Sequence, residues 1–459
     1  MQATVDNPST GEVAATFEML SAQAVEPLLA RAQRAAGDWR ATPLQERVDL
    51  CSRFLQAFDA RAETIARELA EQMGKPLPQG RGEVRTMRAR AEHMMAAASR
   101  CLADAMLEPK AGFERRIQRV PVGIVLDIAA WNYPLLIAIN VVVPAVLSGN
   151  AVILKHSRRT PSCARHFEEA FAAAGAPDGL VAGVVAEHGI TAAIVSDARV
   201  GYVAFTGSVE GGRAVSRAAA GRFIDVGLEL GGKDAAYVRS DVDIAAVAEA
   251  LAEGAFYNSG QSCCAVERIY VDHRIYADFV DALTEAARAW KPGDPLDERT
   301  MLGPMAQADA VASLQEQLDD AVGKGARVTT GGNAVQLGGR GRWFEATVAA
   351  DTNHSMTIAT EESFGPVVAV APIAGDEEAI RQMNDSRYGL TASIWSRDVD
   401  AARRVAPHVE AGTIFLNRCD FLDPALPWSG WKDSGVGVTL SDYGFDRMTK
   451  TRAWHFRLP

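Results

Sequence analysis

The chain has 459 residues, 48% hydrophobic and 23% charged, the balance of an ordinary globular protein long enough for two or three domains. A formal net charge of −11 without a long basic run argues against nucleic acid or an anionic membrane as the main partner, so we expect small-molecule ligands. The first twenty residues lack the basic and apolar regions of a signal peptide, which predicts a cytoplasmic protein with reduced thiols.

The N-terminal half contains helical and strand patterns. Helical periodicity runs from Leu44 to Met73 and ends at a Gly-Lys-Pro stop. The apolar stretch from Val122 to Leu147 has the length of a membrane span, but its two prolines and three polar residues argue against one. We interpret it as a buried strand at 123–130, a turn at 131–134 and a short buried helix, followed by a strand at 151–157.

The same alternation continues through the rest of the chain. We predict strands at 199–205 and 267–272, the second followed by a helix at 275–290. The Gly-rich segment 323–343 is expected to be a surface loop. Strands and helices in alternation indicate a doubly wound α/β fold with a mostly parallel sheet.

Two of the six cysteines, Cys263 and Cys264, stand side by side in FYNSGQSCCAVER. A disulfide between neighbours would be strained, because adjacent Cα atoms lie about 3.8 Å apart and ordinary disulfides need roughly 4.4 to 6.8 Å. The chain has no CxxC or HExxH motif, so we predict no metal site. Two interpretations stay open for the pair itself, namely buried small hydrophobes or a reactive thiol beside its neighbour.

A carboxylate stands in apolar surroundings upstream of the cysteines. Glu229, in LELGGKD, is flanked by leucines and followed by two glycines. Burial there would raise its pKa toward the range of a general base. The alternative is a partner in a structural ion pair.

Six motifs spread over nearly the whole chain carry a family resemblance. They are WNYP at 131–134, FTGS at 205–208, LELGGK at 228–233, FYNSGQSC at 256–263, EESFGPV at 361–367 and PWSGWKDSG at 427–435. In type and order they resemble those of the aldehyde dehydrogenase superfamily, in its hydrolytic, NAD(P)-dependent branch.

The resemblance implies an enzyme that oxidises an aldehyde to a carboxylic acid. It makes Cys263 the nucleophile that attacks the aldehyde carbon, and Cys264 a variable neighbour. The side-chain amide of Asn132 and the backbone N–H of Cys263 would form the oxyanion hole. After hydride transfer to the nicotinamide, Glu229 would activate the water that hydrolyses the thioester.

The resemblance also implies the cofactor residues, although the chain has no GxGxxG motif. In its place stands FTGSVEGG at 205–212, a strand-to-helix turn whose helix N-terminus would face the pyrophosphate. The implied contacts are Gly207 and Ser208 at that turn, Lys155 and Trp131 on the adenosine side, and Glu362 and Phe364 at the nicotinamide ribose and ring.

One position departs from the family pattern. Three places after Lys155, where the family usually has a glutamate that binds the ribose hydroxyls, this chain has Arg158, followed by Arg159. A positive group there would tolerate or attract a 2′-phosphate, so we expect NADP to be accepted besides NAD. The alternative is that both arginines point into solvent.

The resemblance also places a substrate tunnel. Its walls would be Leu136, Ile137, Asn140, Tyr257, Phe421, Leu422 and Trp428, a mostly apolar set that suits a medium aliphatic or aromatic aldehyde better than a dianionic one. Whether Arg418, Asp420 or Asp423 faces the substrate stays open.

By the same resemblance, the fold would be a Rossmann-type cofactor domain at 1–104 and 122–231, an α/β catalytic domain at 232–430, and a small β oligomerisation module at 105–121 and 431–459. The segment RRIQRV would pair with a strand near TRAWHFRL at the interface of a homodimer or homotetramer.

Other functions remain as alternatives. A coenzyme-A-acylating relative would release the thioester with a thiol and typically lacks the glutamate found here at Glu229. A catalytically silent structural or binding homologue would have no reason to keep Cys263, Glu229 and Asn132 together. A cofactor-free thiol hydrolase is disfavoured because no histidine neighbours Cys263 in sequence.

Overall fold

A computed structural model describes residues 2–459 of the chain, which form 22 strands and 14 α-helices. The strands are β1 Gln2–Asp6, β2 Val13–Glu18, β3 Ala105–Met106, β4 Phe113–Pro121, β5 Ile124–Ala129, β6 Ala151–His156, β7 Val181–Val185, β8 Val200–Thr206, β9 Asp225–Glu229, β10 Asp234–Val238, β11 Val266–Asp272, β12 Arg327–Thr330, β13 Ala334–Leu337, β14 Arg340–Phe344, β15 Thr347–Ala350, β16 Val367–Ile373, β17 Tyr388–Gly389, β18 Thr391–Trp395, β19 Thr413–Leu416, β20 Trp431–Lys432, β21 Gly435–Val436 and β22 Thr449–Arg457. The helices are α1 Ala22–Trp39, α2 Leu44–Asp59, α3 Ala62–Met73, α4 Leu77–Cys101, α5 Pro134–Leu147, α6 Pro161–Ala173, α7 His188–Ser196, α8 Val209–Ala219, α9 Ile244–Phe256, α10 Tyr276–Arg288, α11 Ala310–Gly323, α12 Thr357–Thr360, α13 Asp376–Asn384 and α14 Val399–Val405.

The first large sheet has the strand order β21-β9-β8-β5-β6-β7, and all its pairs except β21 with β9 are parallel. Every residue of β5, β6 and α5 is buried, as expected for apolar runs at the centre of a parallel sheet with helices on its faces. The predicted strands at 123–130, 151–157 and 199–205 are confirmed as β5, β6 and β8, and the predicted short helix is α5.

The second large sheet has the order β12-β15-β16-β11-β10-β18-β19 and is parallel except where β12 meets β15. The predicted strand at 267–272 is β11, and the predicted helix that follows it is α10. Two parallel sheets covered by helices confirm the predicted α/β class. The domain boundaries stay a prediction.

A small third sheet, β22-β4-β3, lies apart from both. Its longest pairing is antiparallel and joins β4 to β22 over nine residues, so that Arg115 lies opposite His455 and Val120 opposite Lys450. The predicted pairing of RRIQRV with TRAWHFRL is therefore confirmed within one chain. β22 is mostly exposed to solvent.

Two expectations were wrong in detail. The helical pattern from Leu44 to Met73 is two helices, α2 and α3, which part at Ala60 and Arg61. Segment 323–343 is not a loop, because it contains β12, β13 and most of β14. Its Gly338 and Gly339 both have positive φ, +61° and +75°, the geometry of the two-residue turn that closes the β13–β14 hairpin.

No helix of residues 2–459 combines the length and the apolar character needed to cross a membrane. The apolar stretch that has the length of a span is divided between the strand β5 and the helix α5.

The buried strand β5 carries one acidic residue, Asp127, which is 1% exposed. Its Oδ2 has no hydrogen-bond partner among residues 2–459. Burial raises the pKa of this carboxyl well above its usual value, and the nearby charge of Glu229 raises it further. The folded protein therefore keeps Asp127 protonated at a pH where the unfolded chain has lost that proton.

We predict that Asp127→Asn stabilises the protein at neutral pH. Below the carboxyl's ordinary pKa of 3.8, both folded and unfolded wild type hold the proton and the substitution changes little. Above that value only the folded state retains the proton. The free energy of unfolding of the wild type therefore falls, relative to that of the variant, by up to about 1.4 kcal/mol per pH unit. Thermal unfolding of both proteins at pH 5, 6 and 7 measures this. A midpoint difference that does not grow with pH would contradict the assignment.

Candidate active site

A cavity of about 580 Å³ is lined by residues from α4, α5, α9 and the chain that follows β19. The three predicted catalytic residues, Asn132, Glu229 and Cys263, all line it. So do the predicted tunnel residues Leu136, Ile137, Asn140, Tyr257, Phe421, Leu422 and Trp428. No histidine of residues 2–459 is among the lining residues, which removes the support for a cysteine–histidine hydrolase.

The loop before Cys263 holds an uncommon backbone. Asn258 and Ser259 have positive φ, 52° and 56°, and Gly260 follows at +67°. A Cβ at Gly260 would lie 2.2 Å from the backbone oxygen of Gly365, so only glycine fits this approach. The sharp turn that results presents the half-buried Cys263 to the cavity.

Side-chain amides hold this loop in place. Asn258 Nδ2 donates to the backbone oxygens of Asn132 and Gln261, both at 3.1 Å. Gln261 Oε1 accepts from the N–H of Ala306 at 2.8 Å. The polar residues of the GQS motif therefore position the backbone around Cys263.

The neighbouring thiol has a different environment. Cys264 is 3% exposed and packs with Leu390, Trp428 and Leu440. Its Sγ donates to Oδ1 of Asp420 at 2.9 Å. A hydrogen bond with Cys263 and burial both raise the pKa of the Cys264 thiol. The two interpretations of the pair thus apply to different members, since Cys264 is the buried one and Cys263 is open to the cavity.

Asn132 lies in the turn between β5 and α5, and it is 4% exposed. Its backbone oxygen accepts from Nζ of Lys75 at 2.8 Å and from the amide of Asn258. Lys75 also pairs with Glu83, whose other carboxylate oxygen accepts from the N–H of Leu135 at 2.8 Å. This buried ion pair fixes the turn, and the Asn132 side chain has no protein partner among residues 2–459.

Glu229 ends strand β9, at the edge of the cavity. Its carboxylate accepts hydrogen bonds from the hydroxyls of Thr439 and, at 3.4 Å, Thr206. Burial raises the pKa of Glu229, and these hydrogen bonds together with the charge of Arg90 offset only part of that effect. A carboxylate with a raised pKa in the same cavity as a thiol has the properties of a general base.

A second cavity, of about 660 Å³, lies beside the carboxyl end of β6. Lys155 and Arg158 line it, and neither has a hydrogen-bond or ion-pair partner among residues 2–459. Burial, and then the charge of Arg158, lower the pKa of Lys155 to about 8. The alternative that both arginines point into solvent is wrong for Arg159, which is buried and pairs with Asp6.

The predicted pyrophosphate turn forms the start of α8. Ser208 is its N-cap, and the hydroxyl accepts from the N–H of Gly211 at 3.1 Å. A Cβ at Gly207 would lie 2.7 Å from the ring of Phe205. The glycine therefore lets this ring pack under the helix N-terminus, whose free amides face outward.

The EESFGPV segment lies against the LELGGK segment. Glu362 Oε1 accepts from the N–H of Gly232 at 3.0 Å, and burial raises the pKa of Glu362 to about 7. Phe364 contacts Trp131 edge to face, with ring centroids 5.5 Å apart. The structure thus brings Trp131, Glu362 and Phe364 to one side of the site.

The comparisons with known proteins agree with this geometry. A model of the aldehyde dehydrogenase family matches residues 1–454. The chain belongs to that family. It is 35% identical to an aldehyde dehydrogenase of Paenarthrobacter nicotinovorans, over 96% of each chain. It is 34% identical to a succinate semialdehyde dehydrogenase [NAD(P)+] of Escherichia coli K12, over 98% of this chain and 97% of the relative.

A solved structure extends the match to the fold. The crystal structure of an NAD-dependent aldehyde dehydrogenase from Sinorhizobium meliloti superposes with a TM-score of 0.96, at 32% identity, over 100% of this chain and 92% of the other. The predicted aldehyde-dehydrogenase-like α/β fold is confirmed. As a member of this family, the protein is an oxidoreductase that acts on aldehydes, and NAD(P)-dependent oxidation is general to the family.

The three residues left open by the sequence divide into two that line the cavity and one that does not. Arg418 and Asp420 line the cavity, whereas Asp423 is exposed and caps a turn by accepting from the N–H of Ala425. Arg90 also lines the cavity, from the buried face of α4. A signal for Arg90 was present, because it follows Met87 by three residues on the buried face of the helix.

Proposed function

We propose that this enzyme oxidises an aldehyde to a carboxylic acid with Cys263 as nucleophile, Asn132 as oxyanion donor and Glu229 as the base that activates water. The observation that carries the proposal is the meeting of a thiol, an unpartnered amide and a carboxylate of raised pKa in one cavity. Each comes from a different part of the chain.

The first steps involve Cys263 and Asn132. The Cys263 thiolate attacks the aldehyde carbon, and the new C–S bond displaces the carbonyl π electrons onto oxygen. The Asn132 side-chain N–H and the Cys263 backbone N–H donate to that oxygen, a contribution of a few kcal/mol from each donor. A nicotinamide dinucleotide, when bound, would supply the acceptor for the hydride that leaves the same carbon.

The last step releases the acid. Glu229 takes a proton from a water molecule, and the resulting hydroxide adds to the thioester carbonyl. The C–S bond then breaks, which frees the carboxylic acid and restores the Cys263 thiolate. Thr439 and Thr206 hold Glu229 in the position of a base, which favours hydrolysis of the thioester over its transfer to coenzyme A. A catalytically silent binding homologue would not need such a base.

The residues present fit a nicotinamide dinucleotide. The unpartnered ammonium of Lys155 and the open N-terminus of α8 suit the ribose and the pyrophosphate, and Gly207 keeps the approach to that helix free of a side chain. Trp131 would lie on the nicotinamide side, because its ring contacts Phe364, and not on the adenosine side with Lys155 as the resemblance implies. Glu362 and Phe364 would hold the nicotinamide ribose and the ring.

We also propose that NADP is accepted besides NAD. Arg158 is exposed, unpaired and in the same cavity as Lys155, where its guanidinium would meet a 2′-phosphate. Arg159 takes no part in this proposal because its guanidinium forms an ion pair with Asp6. The named relative from Escherichia coli uses NAD(P)+, which supports the same conclusion.

The assembly we propose is a cytoplasmic homodimer or homotetramer. Its interface would lie on the β22-β4-β3 sheet, where the large apolar side chains of Met106 and Phe456 are exposed on the same face. Apolar side chains clustered on a solvent-facing strand pair are typical of a surface that a second subunit covers.

The catalytic proposal predicts a difference between the two adjacent cysteines. Cys263→Ala should abolish reduction of NAD and NADP with every aldehyde. Cys264→Ala removes a buried packing group and its hydrogen bond to Asp420 but not the proposed nucleophile, so it should retain most of the activity. A panel of aldehydes assayed with and without coenzyme A measures both effects. Undiminished activity of Cys263→Ala, or an absolute requirement for coenzyme A, would contradict the proposal.

For the cofactor, Arg158→Glu should raise KM for NADP at least about tenfold, because it replaces a charged hydrogen-bond donor with a repelling carboxylate. KM for NAD should change little. The matched control is Arg217→Glu, the same charge reversal at an exposed, unpaired arginine near the end of α8. Equal changes for both cofactors would remove Arg158 from the 2′-phosphate site.

A further inference from the structure

The cavity contains a buried cation that the proposed chemistry does not use. Arg90, on α4, is 5% exposed and lines the cavity. Its Nη1 donates to Oδ1 of Asn140 at 3.3 Å, its Nε has no partner, and no carboxylate oxygen of residues 2–459 lies within 4.0 Å of the guanidinium. A buried charge without a counter-ion costs several kcal/mol, so this arrangement calls for an anion from outside the chain.

The carboxylates around the cavity are already engaged elsewhere. Glu83 forms a buried ion pair with Lys75. Asp420 accepts from the thiol of Cys264, and Glu229 accepts from two threonine hydroxyls. None of them lies within ion-pair distance of the guanidinium, and the charge of Glu229, which does act on Arg90, leaves its Nε without a hydrogen-bond partner.

Asn140 adds a second donor beside Arg90. It is 3% exposed and belongs to α5, the helix that begins just after Asn132. Because a guanidinium only donates, the amide must turn its oxygen toward Arg90. Its NH2 group then has no partner among residues 2–459, so both side chains offer the cavity N–H donors and no acceptor.

We propose that Arg90 and Asn140 bind a carboxylate at the far end of the substrate, so that the enzyme selects straight-chain aldehydes with a terminal carboxylate. The proposal rests on the proposed function, since it assumes that the aldehyde end reaches Cys263. A guanidinium fork matches the two oxygens of a carboxylate, and the amide of Asn140 adds a third donor. Apolar walls such as Leu136 and Trp428 contact the methylene groups between the two ends.

The test compares aldehydes that differ only in the terminal group. Wild type should oxidise succinate semialdehyde with a kcat/KM at least tenfold above that of pentanal, a neutral chain of similar length. Arg90→Met should lower kcat/KM for succinate semialdehyde by about 10- to 100-fold, mainly through KM, the effect of losing charged hydrogen bonds. Its kcat/KM for pentanal should fall by a smaller factor, because pentanal loses only the effect of the Arg90 charge on Glu229. Arg90→Lys keeps the positive charge but loses the two parallel N–H donors, so its kcat/KM for succinate semialdehyde should lie between those of wild type and Arg90→Met.

Arg88→Met is the matched control, because Arg88 lies on the same helix, is partly exposed and pairs with Asp59. It should leave the ratio of the two substrates unchanged, and thermal unfolding checks that every variant is folded. Equal losses on both aldehydes in Arg90→Met, or a wild type that does not prefer the carboxylate, would overturn the proposal. Oxidation of pentanal that depends on Cys263 would leave the proposed function standing in that case, whereas oxidation of neither aldehyde would count against both.

Discussion

One side-chain amide joins the two loops that carry the proposed chemistry. Asn258 Nδ2 donates to the backbone oxygen of Asn132, in the turn that supplies the oxyanion donor, and to that of Gln261, in the loop that presents Cys263. Both bonds are 3.1 Å long and buried. A misplacement of a catalytic group by about 1 Å can lower the rate a hundredfold. The two hydrogen bonds of Asn258 therefore matter more to catalysis than to stability.

Buried ion pairs hold the backbone on either side of that tie. The side chains of Lys75 and Glu83 are each 1% exposed. Lys75 also donates to the backbone oxygen of Asn132, and Glu83 also accepts from the N–H of Leu135, so both members of the pair bind the turn that contains Asn132. Lys233 and Glu267 form a second buried ion pair. The carboxylate of Glu267 also accepts from the backbone N–H groups of Ser363 and Phe364, which fixes the EESFGPV loop in the same way. Such pairs contribute little net stability, but they leave the loops few alternative conformations.

The sequence predicts those parts of the fold and site that short, contiguous motifs encode, and it misses those that depend on contacts between distant segments. Cys263, Asn132 and Glu229 stand in short motifs, so the sequence identified them and the fold brings them into one cavity. The contact of Arg159 could not be predicted, because its partner Asp6 lies 153 residues away, at the N-terminus. Arg90 was missed because its role depends on which side of α4 meets α5, a packing relation that no local motif encodes. The β13–β14 hairpin was taken for a loop because paired glycines mark a tight turn as readily as a flexible segment.

The central claim is that Cys263 carries the acyl group until Glu229 activates water. Its most direct test is the intact mass of Glu229→Gln after incubation with succinate semialdehyde or pentanal and NADP. We expect one acyl group per chain, on Cys263 by peptide mapping, and one equivalent of NADPH formed without further turnover. Continued turnover at the wild-type rate, or an acyl group on any other residue, would contradict it.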